Sequence, residues 1–194
     1  MNRILPVVLL LCASCADKAK RPPQLLEYYY PSGKLREVAY IKNGKREGAR
    51  FMYWPSGQAH LEMHYVNGLE NGKRIFYYPD GKIKTEFIIR NDKVDGPYHY
   101  FLPDGTLQME GVMRAGQEVG PIRRYYGTGQ LRQEIAIGKV GGDPYVEYYT
   151  DGTMFLHGVL RNNKRDGIAT FRDSLNGDTM HVLYARGRMI KRVP

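Results

Sequence analysis

Cysteine and long apolar runs are scarce in this chain of 194 residues. Both cysteines lie within the first 15 residues, so the rest of the chain cannot form an internal disulfide. The apolar run from Ile4 to Leu11 is too short to cross a bilayer, which takes about 20 residues, and no later segment qualifies. Residues 25–194 show no helical period, which argues against a helical bundle.

Glycine and tyrosine, by contrast, are abundant. The chain has 22 glycines and 16 tyrosines but a single tryptophan. Its apolar fraction of 42% is slightly low for a compact core but normal for β-structure rich in turns. The composition therefore favours an all-β class.

The amino-terminal segment has the features of an export signal. Arg3 is an early cation, an apolar run follows it, and the small residues Ala13 and Ser14 directly precede Cys15. We expect this segment to direct the protein out of the cytoplasm.

The stretch "CASC" resembles the lipobox of bacterial lipoproteins, in which the cysteine after a small residue becomes the lipid-modified amino terminus. Cys12 stands where that motif usually has leucine. The resemblance implies a signal peptide over residues 1–14, lipidation of Cys15 and a tether over residues 15–25, with the protein held at the bacterial outer membrane on its periplasmic or surface side. The alternative is an ordinary secreted protein in which this cysteine is incidental.

The positive net charge of the chain limits the kinds of partner that it is expected to bind. Without residues 1–14 the chain would keep 28 basic and 20 acidic residues, a formal charge of +8. This balance suits acidic partners such as an acidic protein, an anionic glycan or lipid headgroups. Export argues against nucleic acid as a partner.

Glycines recur at a fixed spacing and reveal an array. One series is separated by 24, 24, 24, 24, 23 and 25 residues, at Gly33, Gly57, Gly81, Gly105, Gly129, Gly152 and Gly177. Proline two places before the first four glycines, with Ser or Asp between, is typical of a tight turn. A fixed period of this size indicates stacked supersecondary units.

Each unit contains a second reversal. "NG" at Asn43 and Asn67 and equivalent pairs later in the chain are residue types that tolerate positive φ in two-residue hairpins. Between the turns, apolar and polar residues alternate, as in "LEMHY" at residues 61–65. We therefore predict an elongated, single twisted antiparallel sheet built from tandem β-hairpins of about 24 residues, and a monomer.

The repeated string Tyr-Tyr-Pro-Ser/Asp-Gly-Lys, followed by Leu-x-x-Glu and Asn-Gly-Lys-x-x-Gly, resembles the MORN repeat in the variant form of YwqK family antitoxins. The resemblance covers six units in residues 26–167, with a degenerate capping unit in residues 168–194. It implies an antiparallel sheet used for binding, with no catalytic residues. We also expect no cofactor and no metal.

Two units depart from the repeat. In the fifth unit Gly127 replaces proline, and one residue is missing before Gly142, so we expect an irregularity at residues 138–143. The seventh unit has lost its Tyr-Tyr-Pro stretch, and its Lys and Arg residues are expected to discourage further strand pairing.

The string "HLEMH" places His60, Glu62 and His64 at alternate positions of one strand, a pattern that could hold a metal. However, Glu62 belongs to a column that repeats at Glu86, Glu110 and Glu134. Catalysis needs unlike residues that converge once, so we interpret the column as structural. We expect its members to pair across strands with Lys84 or Arg132.

Two neighbouring aromatic columns are the candidate binding residues. The first contains Tyr29, Tyr53, Tyr77, Phe101, Tyr125 and Tyr148. The second contains Tyr30, Trp54, Tyr78, Tyr126 and Tyr149, with Leu102 in the fourth unit. Because adjacent strand residues face opposite sides, one column would serve as core and the other would lie in an open groove, unless a curled sheet buries both. We predict the second column as the binding surface, with the first as the alternative.

Basic residues cluster near the second turn, as in Lys45-Arg46, Lys73-Arg74, Arg123-Arg124 and Lys164-Arg165.

The sequence as a whole predicts a non-enzymatic, lipid-anchored protein that binds another protein, as an envelope scaffold or as an antitoxin-like immunity protein. The alternative is a module that binds an envelope glycan or anionic lipid headgroups.

Overall fold

The structure, a computed structural model, describes residues 22–194 and contains one antiparallel sheet with no helix among those residues. The first nine strands are β1 (Gln24–Tyr29), β2 (Leu35–Lys42), β3 (Lys45–Tyr53), β4 (Ala59–Val66), β5 (Leu69–Glu70), β6 (Gly72–Tyr77), β7 (Ile83–Arg90), β8 (Lys93–Phe101) and β9 (Leu107–Arg114). The other nine are β10 (Gln117–Glu118), β11 (Pro121–Tyr125), β12 (Leu131–Ala136), β13 (Asp143–Tyr148), β14 (Met154–Arg161), β15 (Lys164–Arg165), β16 (Gly167–Arg172), β17 (Thr179–Ala185) and β18 (Arg188–Val193). The predicted all-β fold of successive hairpins is confirmed.

The strands follow one another across the sheet in chain order. The short strands β5, β10 and β15 each precede a longer strand that pairs with the same neighbour, so each pair acts as one interrupted strand. The first strand pairs with β2 alone and the last with β17 alone among the described residues. The sheet is therefore open, with two free edge strands.

The described residues contain no helix that is long and apolar enough to cross a membrane.

The two kinds of turn lie at opposite ends of the strands. We call the end with the proline and glycine turns the turn edge; it contains residues 30–34, 54–58, 78–82, 102–106, 126–130 and 149–153. We call the other end the asparagine edge, where Asn43, Asn67, Asn91, Ala115 and Asn162 all have positive φ. The prediction of two reversals in each unit is confirmed, and the residue types agree with the turn geometry.

Neighbouring turns at the asparagine edge are joined by backbone hydrogen bonds. Gly68 N donates to Arg46 O at 2.9 Å, and Gly116 N donates to Val94 O at 2.8 Å. Carboxylates add to these contacts between turns. Glu47 Oε2, for example, accepts a hydrogen bond from Asn67 N at 2.7 Å. The units are thus linked at their turns as well as through their strands.

One face of the sheet, which we call the core face, contains the buried apolar side chains. They are Ala39, Met63, Tyr65, Ile89, Tyr98, Ile122, Ile135, Tyr145, Leu156, Ala169 and Val182. The predicted alternation in "LEMHY" agrees with this, since Leu61, Met63 and Tyr65 lie on the core face. No second layer covers these residues within 22–194, so they must cover one another.

Large rings opposite glycine provide this cover. Tyr98 pairs directly with Gly111, and its ring lies so close that a Cβ added at that glycine would sit 2.5 Å from the hydroxyl oxygen. Tyr145 has the same relation to Gly158 across β13 and β14. Both tyrosines are only 1% exposed, which shows how a single sheet buries large apolar residues.

The fifth unit contains the predicted irregularity. Residues 137–142 form turns between β12 and β13, and Asp143 Oδ1 accepts a hydrogen bond from Gly138 N at 2.8 Å. β12 and β13 share three paired residues, whereas six pairs join β13 to β14. The missing residue has shortened the contact between these two strands.

Candidate binding surfaces

The second aromatic column lies along the turn edge. Each of its members begins a turn and is half-buried: Tyr30, Trp54, Tyr78, Leu102, Tyr126 and Tyr149. The hydroxyl of Tyr78 donates to Phe101 O in the next unit at 2.8 Å, and Tyr126 donates to Tyr148 O at 2.7 Å. The rings are therefore fixed from one unit to the next, as a stripe with one surface open to solvent.

A repeated β-bulge supports this stripe. In every one of the first six units the register shifts beside the turn, and one residue is left without a partner across the ladder: Arg36, His60, Lys84, Gln108, Arg132 and Phe155. The Lys84 ammonium lies 5.7 Å from the ring centre of Tyr78, and the Arg132 guanidinium lies 5.8 Å from that of Tyr126. Cations and rings at such distances attract each other.

These contacts overturn the expected pairing of Lys84 and Arg132 with the glutamate column. The bulge takes both side chains out of the ladder and brings them to the rings at the turn edge. Sequence reasoning missed the bulge, although a signal exists: its residue always comes three places after the turn glycine, where the apolar alternation shifts.

The opposite face of the sheet, which we call the carboxylate face, holds the glutamate column. Glu86 Oε1 lies 2.8 Å from His99 Nδ1, and His99 Nε2 lies 3.9 Å from Glu110 Oε2. Arg123 bridges Glu110 at 3.6 Å and Glu134 at 2.6 Å. The column is therefore a row of polar side-chain contacts, with ion pairs at Arg123, that joins β7, β8, β9, β11 and β12.

The first aromatic column also contributes to the carboxylate face. Tyr77 Oη donates to Glu62 Oε2 at 3.0 Å, and Tyr125 Oη donates to Glu110 Oε1 at 2.7 Å. Burial, followed by these carboxylates, raises the pKa of Tyr77 and of Tyr125 to about 12. Both hydroxyls thus stay protonated and act as donors.

Neither aromatic column supplies the buried core. The members of both columns are half-buried, except for Tyr29, which is 53% exposed in the edge strand β1. The expectation that one column forms the core is wrong, because the strands bury the residues further from the turns instead. The use of either column for binding stays a prediction.

The "HLEMH" residues do not converge. His60 is a bulge residue whose ring packs 3.9 Å from that of Trp54, and this burial lowers its pKa. Glu62 lies on the carboxylate face opposite Ile75, and His64 is exposed beside Ala49. Within residues 22–194 no three His, Cys, Asp or Glu side chains are grouped as a metal would require.

The basic pairs do not form one cluster. Adjacent residues alternate between the faces, so Arg74 lies on the core face with Glu70, at 2.5 Å, while Lys73 faces the other side near Glu86, at 3.8 Å. Lys45 and Lys164 are exposed beside the asparagine-edge turns, but Lys34 and Lys82 are exposed at the turn edge, so exposed positive charge is found at both edges. Cys15, the predicted lipidation site, lies outside the described residues.

Comparison with known proteins agrees with the repeat architecture. A family model described as a MORN repeat variant matches residues 25–43 and 70–91. The first match covers the hairpin of β1 and β2, and the second runs from the end of β5 to the end of β7. No curated protein matches the chain. In these two stretches the chain is similar to MORN variant repeats, which are generally modules for binding proteins or membranes and not enzymes.

Proposed function

We propose that this chain is a non-enzymatic repeat protein of the bacterial cell envelope, anchored through Cys15, that binds another protein along its turn edge. The observation that carries this proposal is the stripe of half-buried rings at Tyr30, Trp54, Tyr78 and Tyr126, in which the three tyrosines are fixed by hydrogen bonds to the next unit. Rigid aromatic rings with a polar tip offer large contact area at a low cost in conformational entropy.

Capture of partners from an envelope extract tests this proposal. We expect the wild-type protein to retain a specific protein, and Tyr126→Ala to lose it, because the substitution removes one ring from the stripe. Phe101→Ala on the other aromatic column is the matched control and should retain the partner. Loss in both variants alike, or in neither, would contradict a turn-edge site.

The membrane anchor is tested separately. Lipidation of Cys15 would make processing of the protein sensitive to globomycin, and Cys15→Ser would abolish the lipid-modified form in metabolic labelling with palmitate. A Cys15→Ser protein that is still labelled would rule out this residue as the anchor.

An antitoxin-like role is a narrower version of the same proposal. It requires a toxin that acts in the envelope, and the captured partner would then inhibit growth when expressed without this protein. A captured structural protein would favour the scaffold version.

A second candidate function is binding to an anionic glycan or lipid headgroup at the asparagine edge. Lys42 and Lys45 are available there, while the carboxylate of Glu47 is occupied by Asn67 N at 2.7 Å. Retention on anionic liposomes or peptidoglycan that falls steeply with salt, and that is lost in Lys42→Gln/Lys45→Gln, would favour this function.

A further inference from the structure

The two free edge strands of the sheet differ in charge. β18 contains three cations, Arg188, Lys191 and Arg192, which oppose pairing with a further strand. β1 has the sequence QLLEYY, with Glu27 as its one charged residue and no lysine or arginine. Because cations are a usual protection of edge strands, β1 is the less protected of the two edges.

Apolar side chains of β1 are left partly uncovered. Leu25 is 46% exposed and Tyr28 is 44% exposed. Leu26 lies opposite the buried Ala39, so it belongs to the core face, yet it is only half-buried. Among the described residues a strand flanks Leu26 on one side alone. A strand on the other side of β1 would cover this leucine as neighbouring strands cover the rest of the core face.

The backbone of β1 offers hydrogen-bonding groups to such a strand. Tyr30 N donates to Lys34 O at 2.8 Å, so the backbone groups of Tyr30 point into its own hairpin. Because these directions alternate along a strand, the N–H and C=O groups of Leu25, Glu27 and Tyr29 point away from β2. These outward groups have no strand partner within residues 22–194.

A second copy of β1 fits this edge in one register. A twofold axis perpendicular to the sheet keeps the core faces of both copies on one side, and it must then pass through a residue position, because residues directly opposite share a face. An axis at Glu27 would place two carboxylates opposite each other, which is destabilising. An axis at Leu26 places two leucines together on the core face, and an axis further from the middle of β1 pairs fewer residues.

The backbone geometry agrees with the axis at Leu26. In this register Leu25 lies opposite Glu27 of the second copy, and both residues have outward backbone groups, so they can exchange two hydrogen bonds. The twofold axis repeats this pair on the other side. Leu26 and its copy then form the closer, non-hydrogen-bonded kind of pair, in which side chains pack best.

We propose that this protein forms a twofold-symmetric dimer in which the β1 strands of two copies pair antiparallel through Leu26. The dimer replaces the monomer expected from the sequence, and its two ends are the β18 strands with their cations. One short strand from each copy makes a small contact, so the dimer dissociates on dilution. The axis crosses the middle of the strands and is independent of the proposed turn-edge surface.

A cysteine at position 26 tests the register. In the full chain with Cys12→Ser and Cys15→Ser, Leu26→Cys is the sole thiol. Its Cα would lie about 4.5 Å from that of its copy, a separation that a disulfide spans. We expect mild oxidation to convert this variant into a covalent dimer.

Two matched variants control for random collision. Leu25→Cys would lie opposite Glu27 of the second copy, and Ile190→Cys lies in β18, where the native side chain is 55% exposed. Both should stay largely monomeric under the same oxidation. Equal crosslinking at all three positions, or no crosslinking at position 26, would overturn the proposal.

Sedimentation velocity of lysine variants tests the same register without a covalent bond. Leu26→Lys places like charges opposite each other and should weaken association more than tenfold. Leu25→Lys adds the same charge one residue away, opposite Glu27 of the second copy, and should strengthen association about threefold. Weakening by both variants alike, or no effect of either, would contradict this register.

Amide exchange in the wild-type protein shows what covers the edge. The amides of Leu25 and Glu27 should become more protected as the protein concentration rises, while those of β18 should not change. Unchanged exchange of the β8 amides reports that the sheet itself is intact. Protection of Leu25 and Glu27 that is independent of concentration would mean that another segment of the same chain covers β1, and would contradict the dimer.

Discussion

The hydroxyl groups of individual tyrosines decide much of the local energetics in this molecule. Those of Tyr30, Tyr78 and Tyr126 fix the stripe to the next unit, and those of Tyr77 and Tyr125 bind the glutamate column. Position within the repeat therefore determines the acceptor. The exception is Tyr145, whose acceptor the sequence has replaced by arginine.

Removal of the hydroxyl should have opposite effects at the two equivalent tyrosines. Tyr98→Phe should lower the free energy of unfolding by about 1 kcal/mol, since it breaks the bond to Glu118. Tyr145→Phe should leave it unchanged or raise it, because no bond is lost and an unsatisfied donor is removed. Urea denaturation of both variants measures this difference. Equal destabilisation of the two variants would contradict the conclusion that only the Tyr98 hydroxyl makes a hydrogen bond.

The stability of the protein should also depend on pH through Tyr77 and Tyr125. The pKa of each is raised to about 12 in the folded state, above the ordinary value of 10.0. Their contribution is fully present below pH 10 and is lost as the pH rises towards 12, because the unfolded chain ionises first. The Tyr77→Phe/Tyr125→Phe variant should lose less stability than the wild type between pH 10 and 12 in urea denaturation. If the variant and the wild type lose the same amount of stability between pH 10 and 12, these hydroxyls do not contribute to the pH dependence.

At the scale of the strands and turns, the fold follows from local residue preferences. Proline and glycine place one set of turns, asparagine places the other, and alternation of apolar residues sets the faces. These features predicted the hairpins and the two sheet faces correctly. The bulges were not predicted, because their residue types vary from Arg36 to Phe155 and only their constant position after the turn glycine marks them.

The candidate site was less predictable than the fold. The aromatic columns are visible as repeated letters, but their partial burial depends on inter-unit hydrogen bonds such as that of Tyr78. The surroundings of Tyr145 include Arg165, twenty positions later in the chain, whose guanidinium lies 5.8 Å from the centre of the Tyr145 ring. Such relations appear only once the units are stacked.

The ring-over-glycine pairs are predicted to be essential for stacking. Gly111→Ala should destabilise the protein by about 2 kcal/mol or more, because the new Cβ would overlap the ring of Tyr98. Gly127→Ala is the matched control, since Leu102 Cδ1 at 3.8 Å is its nearest contact, and it should be neutral or slightly stabilising. Thermal unfolding compares the two. A mild effect at Gly111 would contradict the close packing.

At the scale of the whole molecule, each unit contacts its neighbours, so stability is a sum of local and interface terms. The weakest interface is expected between β12 and β13, which share three paired residues. Residues 137–142 add turns there, with Val140 fully exposed. The array should therefore open first at the fifth unit.

Native-state hydrogen exchange detects this opening. Amides of Gln133 to Ile135 and of Tyr145 to Glu147 should exchange faster than those of β3 and β4, which share six pairs. Insertion of one residue into the 137–142 turn, which restores the 24-residue period, should slow exchange at this interface. Uniform protection across the sheet would contradict a weak interface.

The central claim is that a partner protein contacts the turn edge, and site-specific photo-crosslinking in intact cells tests it most directly. A benzophenone amino acid replaces Gln58 or Gln130 in the turn edge, and Asn67 in the asparagine edge as the control; all three residues are exposed. We predict one crosslinked protein at both turn-edge positions and none at Asn67. Crosslinks at Asn67 alone, or adducts with lipid at every position, would contradict the account.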